Sequence, residues 1–296
     1  MKRKLIRLIA AIATTFTFCA VPGLAPAAAA AHPAFKVDVT GKGAPIILIP
    51  GLASPGEVWD GTVAHYCGDG KHQCHVLTLA GFAGHPAIDA PLLPAVEQQL
   101  SEYIVANKFD HPVVIGHSLG GFLGMKLAAD HPEQVGRLVI VDSLPALGAT
   151  QVPTVTPEQL KAMAAGMRAN MMAQDTEAFK AGQLRTLRTM ITRQEDIDRV
   201  IARSGRSDRA TVIDAMTDLM ASDLREDISR IKAPTLVLGT WIAYKDYAPK
   251  EAITGVYTSQ YAKLAGVRIE MADNARHFIM VDDPAWMYDR IDNFLN

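Results

Sequence analysis

A glycine-flanked serine lies between an apolar run and a helical pattern, and this junction constrains the fold more than any other feature. The segment reads Gly116-His117-Ser118-Leu119-Gly120-Gly121, with apolar residues at 112–115 before it and a helical pattern at 122–129 after it. Glycines at both ends of such a turn allow strand and helix to approach closely. The turn would push Ser118 outward beside the first amides of the helix. The sequence therefore predicts a nucleophile elbow at Ser118, and an ordinary Gly-rich turn is the alternative.

The first 31 residues have the composition of a targeting segment. Four basic residues within positions 2–7 precede an apolar stretch at 8–24, and a run of alanines follows at 27–31. This order is typical of a secretory signal peptide. A membrane anchor is the alternative, but threonines interrupt the stretch, and it is short against the ~20 apolar residues that span a bilayer. We expect 1–31 to be removed on export, to the periplasm or the medium, and the mature chain to have no membrane partner.

Charge and length limit the function classes of the mature chain. The full sequence carries a net charge of −2, and loss of the four basic leader residues takes it to −6. A mildly acidic chain gives no support for nucleic-acid binding. The remaining length of about 265 residues is enough for one large α/β domain with an insertion.

Two cysteines remain after the leader, Cys67 and Cys74, separated by six residues that include two glycines. In an exported chain this pair favours a disulfide. A metal site with the neighbouring histidines His65, His72 and His75 is the alternative, although the spacing matches no common zinc pattern.

Apolar runs and helical patterns alternate along most of the chain. Strands are predicted at 35–40, 45–50, 75–79, 113–116 and 135–141, with helices at 94–106 and 119–129. Residues 145–230 then contain several helical patterns and no strand pattern, and Thr156-Pro157-Glu158-Gln159 is a typical capped helix start. The alternation resumes with strands at 234–238 and 267–271 and helices at 251–264 and 284–295. These patterns predict an α/β core at 32–144 and 231–296, with a helical cap at 145–230.

The order of these elements, the elbow, the glycine-bearing loop after Ile49 and a late histidine resemble the α/β-hydrolase superfamily. The resemblance extends over essentially the whole mature chain. It implies a mostly parallel central sheet with helices on both faces, an all-helical cap inserted after the strand that ends at 141, and serine chemistry without a cofactor or metal.

The resemblance also implies a catalytic base and an acid. His277, which follows the last strand, matches the position of the family's base, and a surface histidine is the alternative. His117 is expected to pack or hydrogen-bond within the site. The acid usually follows the strand at 235–238 in a Gly-x-x-Asp pattern, but here Asp246 comes about four residues later than that pattern. Asp142 is the rival, because some relatives carry the acid at the end of the earlier strand, although an aspartate there can also be a structural cap. We favour Asp142 slightly.

Two backbone amides are predicted to form an oxyanion hole. One belongs to Leu119, directly after the candidate nucleophile. The other belongs to Leu52 in Pro50-Gly51-Leu52-Ala53, which resembles the family's His-Gly-x loop with Pro50 in place of the histidine. An ordinary loop after a strand is the alternative.

The predicted cap carries seven of the twelve methionines, at positions 163, 167, 171, 172, 190, 216 and 220. Their flexible side chains could line an adaptable apolar pocket or pack cap helices against one another. The segment 81–84 and Trp59 are expected at the mouth of the site, with a core position as the alternative for Trp59. No arginine cluster is present to hold a carboxylate or phosphate, so we expect a neutral, mostly apolar substrate.

The sequence thus predicts an exported serine hydrolase that cleaves small ester or lactone substrates through an acyl-enzyme on Ser118. Other serine chemistry on the same scaffold is the nearer alternative: an aminopeptidase, a carbon–carbon bond hydrolase or a cofactor-free haloperoxidase. A binding protein on a degenerate hydrolase fold is the alternative from a different class. The oligomeric state is left open.

Overall fold

The computed structural model describes residues 32–150 and 152–296, and the predicted leader at 1–31 lies outside them. Seven strands form one sheet. They are β1 (Phe35–Gly41), β2 (Ala44–Ile49), β3 (His72–Leu79), β4 (Val113–His117), β5 (Arg137–Val141), β6 (Thr235–Thr240) and β7 (Arg268–Ala272). The spatial order is β1-β3-β2-β4-β5-β6-β7. Only the β1–β3 pair is antiparallel among the described strands, so the prediction of a mostly parallel sheet is confirmed.

Ten α-helices surround or extend this sheet in the described residues. They are α1 (Asp60–Tyr66), α2 (Leu92–Ala106), α3 (Leu119–Asp130), α4 (Pro157–Ala173), α5 (Thr176–Met190), α6 (Gln194–Ser204), α7 (Arg209–Ala221), α8 (Lys250–Gln260), α9 (Ile279–Asp282) and α10 (Pro284–Leu295). The sequence patterns did not predict α1 or α9. We call α4–α7 the cap helices, because all four lie between β5 and β6. None of the described helices is both long enough and apolar enough to cross a bilayer.

The sheet is buried on both faces, and β2 illustrates why its sequence is a continuous apolar run. Ile47 and Ile49 pack in a cluster with side chains of α2 and α3. Ile46 and Leu48 pack in a second cluster with side chains of α1 and α10. Successive side chains of a strand point to opposite faces, so each face needs its own layer of helices. The predicted helices on both faces are therefore confirmed.

Local sequence signals account for two further features of the fold. Helix α4 begins with the predicted capping box: the Thr156 hydroxyl accepts from the Gln159 N–H at 3.3 Å, and the Gln159 side chain accepts from the Thr156 N–H at 2.9 Å. Cys67 and Cys74 form a disulfide, as predicted. It links the end of α1 to β3, and both cysteines are buried.

The sheet order decides where a site can form. Strands β2, β4, β5 and β6 are neighbours and run parallel, so their carboxyl ends meet at one edge. Open α/β sheets bind ligands at this edge. The chain leaves it at Ser118 after β4, at Asp142 after β5 and at Thr240 in β6.

Candidate active site

Ser118 occupies a strained turn between β4 and α3. Its backbone has φ 53° and ψ −118°, a conformation that non-glycine residues rarely adopt. Its N–H donates to the carbonyl of Val141 on β5 at 2.9 Å. A Cβ atom on Gly116 would lie 2.2 Å from the carbonyl oxygen of Gly120, and one on Gly120 would lie 2.2 Å from the carbonyl oxygen of Ile49. Both glycines are therefore required for a turn this tight, which leaves the Ser118 side chain partly exposed.

Asp142 and His277 form a close pair, and both line the same cavity as this serine. His277 Nδ1 lies 2.5 Å from Asp142 Oδ2. The other carboxylate oxygen of Asp142 accepts from the Thr240 N–H at 3.0 Å and from the Tyr257 hydroxyl. Three donors thus fix one largely buried carboxylate. A carboxylate at Nδ1 keeps the proton on that nitrogen and leaves Nε2 of His277 as the free acceptor.

His117 is buried within the elbow and supports the His277 loop from the core side. Its Nε2–H donates to the carbonyl of His277 at 3.0 Å. Burial, with a further contribution from the nearby His277, holds the pKa of His117 well below the ordinary value. His117 is therefore neutral, and its hydrogen bond holds the backbone of His277, in agreement with a packing and hydrogen-bonding role in the site.

A cavity of about 630 Å³ lies above Ser118 and His277 and extends beneath the cap helices. Most of its lining is apolar: Leu52, Ala53, Leu144, Leu147, Met171, Phe179, Leu187, Met190, Val200, Val212, Met216, Leu219 and Phe278. The polar lining from α5 and the end of α4 comprises Gln174, Gln183, Arg185, Thr186 and Thr189. Three of the seven cap methionines line the cavity, whereas Met163 and Met172 are exposed. The cap therefore forms most of the cavity's apolar wall.

The model of the Alpha/beta hydrolase family matches residues 46–290 of this chain. The chain belongs to the alpha/beta hydrolase family. The match begins within β2 and ends within α10, and it includes β3 to β7 and all four cap helices.

Two relatives and one solved structure illustrate the similarity of this alpha/beta hydrolase. It is 26% identical over 209 residues to the "Putative carbamate hydrolase RutD" of Yersinia enterocolitica, covering 68% of this chain and 72% of that protein. It is 27% identical over 214 residues to the pimeloyl-[acyl-carrier protein] methyl ester esterase of Nitrosomonas europaea, covering 68% and 78%. An esterase from Exiguobacterium antarcticum superposes with a TM-score of 0.71 at 16% identity, over 88% of this chain and 94% of that one.

Asp246, the other candidate acid, lies elsewhere in this alpha/beta hydrolase. It is exposed, in a turn just after the short 3₁₀ helix Ile242–Tyr244, and it is not among the residues that line the cavity. Asp142, which follows the neighbouring strand β5, instead accepts a hydrogen bond from the N–H of Thr240 at the end of β6. The geometry thus brings Asp142, and not Asp246, to His277.

Two loops meet around the position where an oxyanion would form. Leu119 is the first residue of α3, so its N–H has no acceptor within the helix. Leu52 lines the cavity in the loop after β2. A Cβ atom on Gly51 would lie 3.2 Å from Cβ of Ser118, which shows how closely this loop approaches the elbow. The Leu52 and Leu119 amides are therefore the candidate oxyanion donors.

The expectation that 81–84 lines the mouth of the site is wrong. Phe82 is fully buried in the core, and the backbone of the loop holds the start of α7. The carbonyl of Gly81 accepts from the Asp208 N–H at 2.6 Å, and the Ala83 N–H donates to the Ser207 hydroxyl at 2.9 Å. Trp59 is also fully buried, which agrees with its alternative core position.

The structure adds site residues that the sequence did not indicate. Thr240 and Tyr257 both donate to Asp142, although Tyr257 is 115 positions away in sequence. No spacing rule connects these residues, because only the folded chain brings Tyr257 of α8 beside the residue that follows β5. Among residues 32–150 and 152–296, no group of three or more His, Cys, Asp or Glu side chains is placed to hold a metal ion.

Proposed function

We propose that this alpha/beta hydrolase is a serine esterase that cleaves carboxylic ester or lactone bonds through an acyl-enzyme on Ser118. The observation that carries the proposal is the 2.5 Å pair between His277 and Asp142, which lies in the same cavity as the elbow serine. A serine hydroxyl becomes a competent nucleophile when such an oriented base is beside it.

In the proposed reaction, Oγ of Ser118 attacks the substrate carbonyl carbon while Nε2 of His277 accepts the hydroxyl proton. The amides of Leu52 and Leu119 donate to the oxyanion of the tetrahedral intermediate. The intermediate then expels the alcohol, which takes the proton from His277. Water, deprotonated by His277, then attacks the acyl carbon. Oγ of Ser118 leaves and takes the proton back from His277, and the acid is released. Asp142 holds the tautomer of His277 and stabilises its protonated form in both halves.

The substrate is proposed to be small and mostly apolar. A cavity of about 630 Å³ with a largely apolar cap wall is of the size that accommodates a small organic molecule. Arg185 is the one cationic side chain that the described cap helices contribute to the lining, so the cavity does not offer a cluster for a highly charged anion. The names of the two relatives, for methyl ester and carbamate hydrolysis, support attack on a carbonyl carbon bonded to a heteroatom.

A substrate panel tests this proposal. p-Nitrophenyl acetate, butyrate and octanoate, together with lactones, aryl carbamates and aminoacyl amides, are offered to the wild type and to Ser118→Ala. We expect turnover of esters or lactones by the wild type alone, and stoichiometric labelling of Ser118 by a fluorophosphonate probe, located by peptide mass spectrometry. Activity confined to aminoacyl amides would favour an aminopeptidase. Neither turnover nor labelling would favour a binding protein.

We also propose that the chain is exported. The leader pattern at 1–31 and the Cys67–Cys74 disulfide support this, since disulfides persist in oxidising compartments. The test is the N-terminal sequence of the protein recovered from the periplasmic fraction or medium of a bacterial host. A start within 27–32 is expected, and an uncleaved cytosolic protein would refute export.

A further inference from the structure

The cap contacts the residues on both sides of His277. The contact is made by the end of α5 and the first residues after it, and we call residues 188–192 the cap turn. After His277, the Phe278 N–H donates to the carbonyl of Met190 at 3.2 Å. Before it, the Arg276 guanidinium donates to the carbonyl of Arg188 at 2.8 Å. Both chain neighbours of the proposed base are thus hydrogen-bonded to the cap.

A single carboxylate links the cap turn to the segment that carries His277. Asp282 accepts from the Thr192 N–H at 3.0 Å and from the Thr192 hydroxyl at 2.9 Å. It also accepts from the backbone N–H of Arg276 at 2.9 Å. Asp282 therefore fixes the residue before His277 and the cap turn relative to each other.

Apolar packing reinforces these hydrogen bonds. Ile191, at the centre of the cap turn, is fully buried. It belongs to the same core cluster as Phe278, Ile279 and Met280, the three residues that follow His277. The cap turn is therefore seated in the core beside the base, and it cannot move away without exposing a large apolar side chain.

His277 is consequently held from two directions. The core holds its ring through Asp142 and its carbonyl through His117. The cap holds its neighbours through the contacts described above. A displacement of about 1 Å in a reacting group can cost ~100-fold in rate, so the cap contacts bear directly on the chemical step.

We propose that the cap turn and Asp282 are positioning elements that keep His277 aligned with Ser118. The cap would then contribute to turnover as well as to substrate binding. This rests on the proposed role of His277 as the base. Thr189 and Met190 of the cap turn line the cavity, so a bound substrate would touch the same segment that holds the base.

The test uses Asp282→Asn, Thr192→Val and the conservative Thr192→Ser. Asparagine presents an amide group to the donors of Thr192 and Arg276, and valine removes one hydroxyl donor without any change of charge. We expect kcat to fall about 10-fold in Asp282→Asn and less in Thr192→Val, with KM within about twofold of wild type. Thr192→Ser should retain the wild-type kcat. Labelling of Ser118 by a small dialkyl fluorophosphonate should slow in the same order.

A matched control exists in the same cap. Asp208 accepts from the Thr211 N–H at 2.8 Å and from the Thr211 hydroxyl at 2.7 Å, the same two kinds of bond that Asp282 accepts from Thr192. This pair caps α7, and neither residue lines the cavity that contains His277. Asp208→Asn and Thr211→Val should lower the unfolding temperature while leaving kcat near wild type. If they reduce kcat as much as the Asp282 and Thr192 variants, general weakening of the cap explains the loss and the proposal is wrong.

Hydrogen exchange separates this proposal from the proposed function. Amides of residues 276–283 should exchange faster in Asp282→Asn than in wild type or Asp208→Asn. If the wild type neither turns over the panel nor reacts with the probe, the esterase proposal fails, and the exchange rates still decide whether Asp282 orders this segment. Unchanged exchange in Asp282→Asn, or an unchanged kcat in an active enzyme, would overturn the positioning role.

Discussion

Replacement of Asp142 by asparagine should abolish most of the activity without unfolding the protein. Three donors converge on the Asp142 carboxylate: Nδ1–H of His277, the N–H of Thr240 and the hydroxyl of Tyr257. An asparagine has only one acceptor oxygen. If that oxygen keeps Thr240 and Tyr257, the amide NH₂ faces His277 Nδ1. His277 must then carry its proton on Nε2, where it can no longer accept the proton of Ser118.

The size of the loss follows from that tautomer. In a serine–histidine–aspartate system, the corresponding change costs about 10⁴-fold in kcat. At 1.36 kcal/mol for each factor of ten, a loss of 10³- to 10⁴-fold corresponds to about 4 to 5 kcal/mol of transition-state stabilisation. The fold should tolerate the change, because Asp142 has φ 49° and asparagine is among the residues that adopt this conformation most readily.

The assay is kcat/KM with the best ester of the panel, at neutral pH, for Asp142→Asn and Asp246→Asn in parallel. Asp246 is exposed and does not line the cavity, so its variant should stay within about twofold of wild type. Equal unfolding temperatures would exclude a loss of structure as the cause. A value for Asp142→Asn within tenfold of wild type, or an equal loss in Asp246→Asn, would refute the assignment of the acid.

Three further predictions concern the scaffold. Gly120→Ala should destabilise the protein by about 3 kcal/mol in urea unfolding, because the new Cβ would lie 2.2 Å from a backbone oxygen at the end of β2. Gly166→Ala is the control and should not destabilise the protein, because a Cβ at that position has no neighbouring atom within 4 Å. The double variant Cys67→Ser, Cys74→Ser should lose about 2.5 kcal/mol of unfolding free energy and keep kcat, since the disulfide closes a short loop and neither cysteine lines the cavity. Because the folded pKa of His117 is depressed, the unfolded chain binds the proton first, so stability should fall by about 1.4 kcal/mol per pH unit below about pH 6.5. His117→Gln should reduce the slope by that amount and leave the contributions of His75 and His85, whose pKa values burial also lowers. An unchanged slope would mean that His117 takes up its proton in the folded protein.

The sequence alone predicted most of the elements. A sheet that is buried on both faces has strands with continuous apolar runs, and the elbow is recognisable because its tight turn has room only for glycines at positions 116 and 120. The strand at 45–50 and the capped start of α4 are examples, found within one or two residues of their predicted bounds. The predicted position of loop 81–84 at the mouth of the site was wrong, because its glycines indicate a turn but do not show which residues pack against that turn.

The choice between Asp142 and Asp246 could not be made from spacing. Each follows a strand that ends at the same edge of the sheet, and only the three-dimensional structure shows which carboxylate meets His277. The contacts between Asp282 and Thr192 could not be predicted from the sequence either, because 90 positions separate the two residues.

The position of Asp142, the proposed acid, explains why the additional contacts are made around His277, the proposed base. Ser118 and Asp142 follow adjacent strands, and both have a positive φ, 53° and 49°. The N–H of Ser118 donates to the carbonyl of Val141 at 2.9 Å, so the serine is tied through the sheet to the residue that precedes the acid. The backbone hydrogen bonds between the strands therefore hold both Ser118 and Asp142 in place. His277 follows β7 at the edge of the sheet and has no such ladder. Instead, His117 donates a hydrogen bond to the carbonyl of His277, and the two neighbours of His277 donate to the cap turn. We infer that these hydrogen bonds give the loop the rigidity that precise placement of a base requires.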